Sequence, residues 1–403
     1  MNRSQFQPSH KILARYSKVL VDFALNSGKG IKKGEVVLLQ YDQPAQLLAL
    51  EVYTQILKKG AIPLLRQHDQ SFEKLFFSLA NQWQLQFFPK KYQKALVETI
   101  DHRIYLMAED DPLYLKNIDP AKMAIVNQAK KPLREWLNQK EDQGKLTWTL
   151  ALYGTQGLAD QAGLSLSQYW GQIKKACFLN DSHPIKKWQM VFQETARILA
   201  VLNKMPIETI HVKAKNTDLT YKLGQNRRWQ GGSGRNIPSF EIFTSPDWRG
   251  TNGYITFDLP LYRYGNLIKD IYLEFKQGRV VKAKAKKNEQ LLKQLISQEN
   301  ADKVGEFSLT DKRFSKINRF MANTLYDENF GGKNGNTHLA LGASYHDCYQ
   351  GEAQLVTNKQ WQDLGFNSSP EHTDIIASLD RTVMVTLKNG QQKIIYRDGS
   401  FSL

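Results

Sequence analysis

The spacing of apolar residues changes period about midway along the chain. In the first half it is mostly helical. Ile12, Leu13, Tyr16, Leu20, Phe23 and Ala24 recur at helical steps across 11–27, and Gly28 and Gly30 end the run. The short apolar stretch Glu35–Gln40 then fits a buried parallel strand. Pro44 opens a second helix through Leu47, Leu50, Val52, Ile56 and Leu57, closed by Gly60, and Ala61–Arg66 is the next strand. Strand, helix and strand within about 30 residues form a βαβ unit. No Gly-x-Gly-x-x-Gly follows the first strand, which argues against a dinucleotide site. Helical patterns over 70–100 carry Phe72, Phe76, Phe77, Trp83, Phe87 and Phe88, read as core aromatics. Strands at Arg103–Met107 and Leu146–Leu152 flank a helix over 120–141.

Helices near 165–179 and 184–203 follow, and then the period falls to two. Alternating strands are expected at Thr209–Ala214, Asp218–Leu223, Tyr254–Phe257 and Ile271–Phe275. Gln277-Gly278 turns into Arg279–Ala285, and Asn389-Gly390 joins Val383–Leu387 to Lys393–Tyr396, both hairpin signatures. The expected architecture is an α/β N-terminal domain over 1–195, Rossmann-like with a mostly parallel sheet. A C-terminal α+β domain over 196–403, rich in antiparallel strands, follows it.

Composition refines this picture at three points. Two distant cysteines, Cys177 and Cys348, argue against a disulfide scaffold and for a reducing, cytoplasmic setting. The N-terminus, Met1 to Pro8, has no apolar core of signal-peptide length behind it, and no run reaches the roughly 18–20 apolar residues of a membrane span. The formal charge of +16 raises one alternative function, a basic protein that binds nucleic acid or anionic ligands. Lysines are spread along the whole chain, however, and no basic run is interleaved with aromatics as a stacking platform would be. The expectation is therefore no nucleic-acid partner and no membrane.

The residues that could carry chemistry lie in the second half. His338 and Tyr345 stand seven apart, on one side if the segment is helical, although Gly342, Ala343 and Ser344 fit an irregular segment equally well. Glu241 is a single acid among Ile, Phe and Thr in a segment bracketed by Pro238 and Pro246, where a carboxylate is costly unless paired or metal-bound. Glu306 repeats the theme after Gly305. In an extended segment His372 and Asp374 face the same way and offer a nitrogen and an oxygen ligand. An imidazole, a carboxylate and a second His/Asp pair are the kind of set that binds two divalent metals.

Taken in order, Glu241 in its Asn-Ile-Pro context, Glu306, His338 with Tyr345, and His372-x-Asp374 resemble the M29 metallo-aminopeptidases. The likeness extends to Val21–Leu25, Gly34–Val36, Lys59–Pro63, Thr217–Thr220 and Leu325–Asn329, and so spans most of the chain. The resemblance implies an aminopeptidase acting on peptides through two divalent ions (zinc, cobalt, magnesium or manganese). It implies Glu241, Glu306, His338, His372 and Asp374 as metal ligands. It also implies catalytic roles for Glu306 and Tyr345, and a homodimer that encloses the active site.

Overall fold

The computed structural model describes residues 6–403. The reading of the N-terminus rests partly on residues 1–5, which lie outside the described residues. The chain divides into two compact units. The first runs through Phe192 and regains the chain at Ser233–Ser239 and Arg319–Tyr326, and the second holds the remainder.

The first unit is an α/β layer. Strands β1 (Val36–Asp42), β2 (Ile62–His68), β3 (His102–Met107) and β4 (Thr147–Leu152) pair in parallel in the order β2-β1-β3-β4, and Asn236–Ile237 adds a fifth strand beside β4. Val37, Leu39, Ile104, Leu106, Ala151 and Leu152 are buried, whereas Ile62 and Leu65 of β2, at the edge of the sheet, are more than half exposed. The helix expected over 120–141 is two, Pro120–Ala129 and Lys131–Asp142. Pro132 has no backbone N–H to bond the preceding turn, so the second helix starts anew around it.

The aromatic load of 70–100 does not behave as expected. Phe77 is buried, but Phe72, Trp83 and Phe87 are 75, 70 and 60% exposed, and Leu75, Phe76 and Leu79 are exposed beside them. Helices Gln70–Leu79 and Gln82–Gln86 thus turn apolar residues both inward and outward.

The second unit is built on two antiparallel sheets. The larger has eight strands in the order Arg279–Lys284, Ile271–Lys276, Asp247–Phe257, Thr217–Lys222, Ile207–Ala214, Arg381–Leu387, Gln392–Arg397 and Ser400–Phe401. The smaller has five strands, and four of them carry every residue singled out as a metal ligand. These are β5 (Glu241–Thr244), β6 (Val304–Thr310), β7 (Asn336–Gly342) and β8 (His372–Ala377), ordered β8-β7-β6-β5, with Gln230–Gly231 outside β5. Phe307, Leu309, Leu339, Leu341, Ile375 and Ala377 from this sheet join Val212, Leu219, Ile255 and Leu273 from the larger one in a single apolar core.

Three histidines of other strands pair with carboxylates, some near in sequence and some far. His102 Nε2 lies 2.8 Å from Glu35 and His211 Nε2 2.7 Å from Asp218. His68 bridges two acids, with Nδ1 3.1 Å from Asp42 and Nε2 3.2 Å from Glu73. Its hydrogen bonds to Asp42 and then Glu73 hold its pKa up at about 10, against the opposing effect of burial. Tyr105 and Tyr114 hydrogen-bond the same two carboxylates, and Glu109 lies near both acids. A pKa raised on folding stabilises the fold fully below the unfolded value of about 6.5, and the gain disappears as pH rises through about 10. The imidazole is 41% exposed, so solvent screening leaves only part of that shift as stability. His68→Gln is expected to cost about 1–2 kcal/mol in urea unfolding at pH 6 and progressively less toward pH 10.5. A cost independent of pH would show that the fold does not hold His68 protonated.

Candidate metal centre

Strand register explains why five distant residues converge. Neighbours on a strand point to opposite faces, and residues two apart share a face. On β6, Glu306, Ser308 and Thr310 therefore share one face. Register pairs Thr310 with Glu241 of β5, Ser308 with His338 of β7, and Glu306 with Ala340. Across the next ladder Ala340 pairs with Asp374 and Gly342 with His372. Glu241, Glu306, His338, His372 and Asp374 thus lie on one face of the sheet, and the apolar residues between them face the core.

A bulge sits beside the central acid. Between Val304 and Glu306 the register shifts, so that one extra residue, Gly305, is accommodated on β6. A side chain there would meet the Ala343 carbonyl oxygen at 2.1 Å, so only glycine fits. The helical alternative for His338–Tyr345 does not hold. His338 is on β7, and Tyr345 lies three residues past its end, beyond Gly342 at φ +109°. A β-strand over this segment buries His338 and lets β7 bond to both neighbours, which a helix would forgo.

The resulting geometry has Glu306 at its centre. One Glu306 oxygen lies 3.0 Å from His338 Nε2, and the other lies 3.6 Å from His372 Nε2. Glu241 Oε2 is 3.3 Å from His338 Nε2, and Asp374 Oδ1 is 3.4 Å from His372 Nε2. Two ligand sets follow, Glu241/Glu306/His338 and Glu306/His372/Asp374, each with donor atoms within 4.8 Å of one another. His372 is oriented by Nδ1 hydrogen-bonding the Ala343 carbonyl at 2.8 Å, which directs Nε2 at the acids. His338 has no such support, because its Nδ1 is buried without a hydrogen-bond partner. Two carboxylates therefore converge on a single imidazole nitrogen, which has one proton at most to offer. A cation at that convergence would satisfy all three groups, so the donor set suits a divalent metal.

Burial and mutual charge distort the acidities. Burial raises the Glu306 carboxyl to about 7, partly opposed by its hydrogen bond with His338. Burial works against protonation of His372, but Asp374 prevails and lifts it to about 9. His338 is likewise raised, against burial, by Glu241 and Glu306. Asp374 is lowered, against burial, chiefly by His372.

One acid beside the site was not singled out for a role in the sequence. Glu328 is buried, and burial followed by the charges of Glu241 and Asp374 pushes its carboxyl well above the usual range. Its neighbour Asn329 accepts a hydrogen bond from the Phe240 N–H at 2.5 Å, next to Glu241. Glu328 belongs to an irregular segment, and no spacing rule links it to the ligand strands. The one available signal was its place in the Leu325–Asn329 stretch of the family likeness, where it follows a second acid, Asp327. Tyr345 packs edge-on against the His372 ring at 4.8 Å and against Phe243 at 5.7 Å, which places it at the His372/Asp374 side of the cluster.

Comparison with known proteins is consistent along the whole chain. A family profile described as "Thermophilic metalloprotease (M29)" matches residues 9–401. The chain is 27% identical to aminopeptidase AmpS of Bacillus subtilis, over 97% of this chain and 98% of that one. It is 26% identical to aminopeptidase T of Thermus aquaticus, over 72% of this chain and 74% of that one. Its fold matches the solved structure of wild-type AmpT from Thermus thermophilus with a TM-score of 0.83 at 22% identity, covering 98% and 99% of the two chains.

Glu306 alone belongs to both ligand sets. Glu306→Ala should therefore remove more bound divalent metal than Glu241→Ala or Asp374→Ala, as measured by elemental analysis after zinc or cobalt loading. Equal losses in the three variants would show that Glu306 is not shared.

Proposed function

The chain belongs to the M29 family of thermophilic metalloproteases, and from that premise we propose that it is a metal-dependent aminopeptidase that releases N-terminal residues from peptides at a two-metal site. The observation that carries the reading is the central carboxylate, whose two oxygens face two different imidazoles in two overlapping ligand sets. Glu241, Glu306 and His338 would hold one ion, and Glu306, His372 and Asp374 the other. When bound, such a pair polarises a peptide carbonyl and lowers the pKa of a water molecule.

The protein groups have separate tasks. Glu306 accepts the proton of the attacking water as well as serving as a ligand. The Tyr345 hydroxyl donates a hydrogen bond to the oxyanion that forms as the carbonyl is attacked. That contact strengthens as charge develops and so lowers the barrier. Zinc and cobalt suit the mixed nitrogen and oxygen donors.

Two further proposals concern the molecule as a whole. Both cysteines are free and buried, in keeping with a reducing cytoplasm. A homodimer is proposed to use the exposed apolar face of Gln70–Leu79 and Gln82–Gln86. Phe72, Leu75, Phe76, Leu79, Trp83 and Phe87 offer on the order of 800 Å² there, about one side of a standard interface. Among the described residues no helix is long and apolar enough to cross a membrane. The alternative of a basic nucleic-acid or anionic-ligand binding protein gains no support from the relatives.

Chelation should abolish hydrolysis of aminoacyl p-nitroanilides, and zinc or cobalt should restore it. Glu306→Gln and Tyr345→Phe should each lower kcat/KM by about 10²–10³ with the circular dichroism unchanged. Full activity in both variants rejects these roles. Trp83→Glu combined with Leu79→Lys should shift the light-scattering mass in size-exclusion chromatography from dimer to monomer, and a wild-type monomer would reject the proposed interface.

A further inference from the structure

Tyr345 lies outside the strands that carry the ligand residues, on a segment with its own anchors. Its N–H bonds the Ser245 hydroxyl at 2.9 Å. The preceding residue, Ser344, is tied on the other side, with its N–H on the Asn367 carbonyl at 2.8 Å and its hydroxyl accepting the Asn367 N–H at 2.9 Å. Tyr345 is thus suspended between two supports, Ser245 and the 364–367 stretch.

One buried cation joins both supports. Arg227 directs Nε at the Ser245 carbonyl at 2.6 Å, Nη2 at the Leu364 carbonyl at 2.8 Å, and Nη1 at the Gln225 carbonyl at 2.9 Å. Its guanidinium lies 3.6 Å from the centre of the Phe366 ring. Phe366 in turn packs on Trp361, on which His346 stacks at 4.0 Å. The backbone beside Arg227 also holds the end of the tyrosine segment. Arg228 N–H bonds the Cys348 carbonyl at 2.9 Å, and Gln350 N–H bonds the Asn226 carbonyl at 2.7 Å. Burying a guanidinium is costly unless its donors are used, and here they are spent on carbonyls from three separate segments.

We propose that Arg227 is a positioning residue for Tyr345, fixing the spacing between the two supports that aim the phenol at the reacting carbonyl. The inference rests on the oxyanion role given to Tyr345 above. A lysine in its place has one ammonium that cannot serve three carbonyls in three directions. A misplacement of about 1 Å in a group that stabilises the transition state costs up to about a hundredfold in rate.

The test is a double-mutant cycle on aminoacyl p-nitroanilide hydrolysis. Arg227→Lys and Arg227→Met should lower kcat by about ten- to a hundredfold and move KM by less than about threefold. In the Tyr345→Phe background the same changes should cost less than about twofold, because the group they position is already gone. Ser245→Ala removes only the hydroxyl that takes the Tyr345 N–H. It should follow the same cycle and keeps the test open if Arg227→Met does not fold. Bound metal per chain should match the wild type in every variant. An equal loss in both backgrounds, a wild-type kcat in Arg227→Met, or a fall in bound metal would each overturn the assignment. A fully active Tyr345→Phe would instead overturn the role of Tyr345 itself, which separates failure of that reading from failure of the clamp.

Discussion

The second unit is organised around a buried carboxylate shared between two imidazoles. Glu306 is buried on the central strands of a sheet whose opposite face is apolar core. Taking an isolated carboxylate out of water costs several kcal/mol, which the fold recovers only if cations or protons meet it there. In the protein alone that compensation comes from His338, His372 and a raised Glu306 pKa. Divalent ions would supply it more completely. The same feature that makes the cluster unfavourable as bare protein therefore makes it suitable as a metal centre, and the reading of the site follows from that tension.

Sheet geometry gives the cluster its precision. Every proposed ligand lies on a strand, and each pair of neighbours is fixed by ladder register rather than by a loop. A slip of one residue on any strand would send its ligand into the core and an apolar residue into the site, so folding and site assembly are the same event. Gly305 and Gly342 mark where this regularity is broken. At both, a side chain would collide with the backbone carbonyl of a residue flanking the neighbouring strand, Ala343 or Glu371. These breaks allow the ladder to end next to Glu306 and the chain to leave toward Tyr345.

Much of this could be read from the sequence, and the failures have physical causes. The parallel layer was legible because β1 to β4 are short apolar runs alternating with helices. His372 and Asp374 were legible as a pair because an extended segment puts residues two apart on one face. His338 and Tyr345 were not, because seven residues fit two helical turns as well as a strand and its exit. Local spacing cannot choose between the two, whereas pairing with β6 and β8 does. The aromatics of 70–100 were read as core because periodicity reports amphipathic character and not which apolar face is covered. Glu328 lies on an irregular segment, where no period operates at all.

The site therefore divides its tasks by how each residue is held. The proposed ligands come from strands fixed by ladder pairing, on both sides for β5, β6 and β7 and on one side for β8 at the edge of the sheet. Tyr345, the proposed oxyanion donor, comes from a segment hung between two separately anchored supports. Such a segment tolerates small adjustments that a ladder would forbid, but it needs something to keep the supports apart at a fixed distance. A planar guanidinium with donors in several fixed directions does this where an apolar residue could not, because carbonyls left unbonded inside the protein would pull the segment toward other partners. One rigid cation behind the segment would hold the proposed oxyanion donor in a reproducible position.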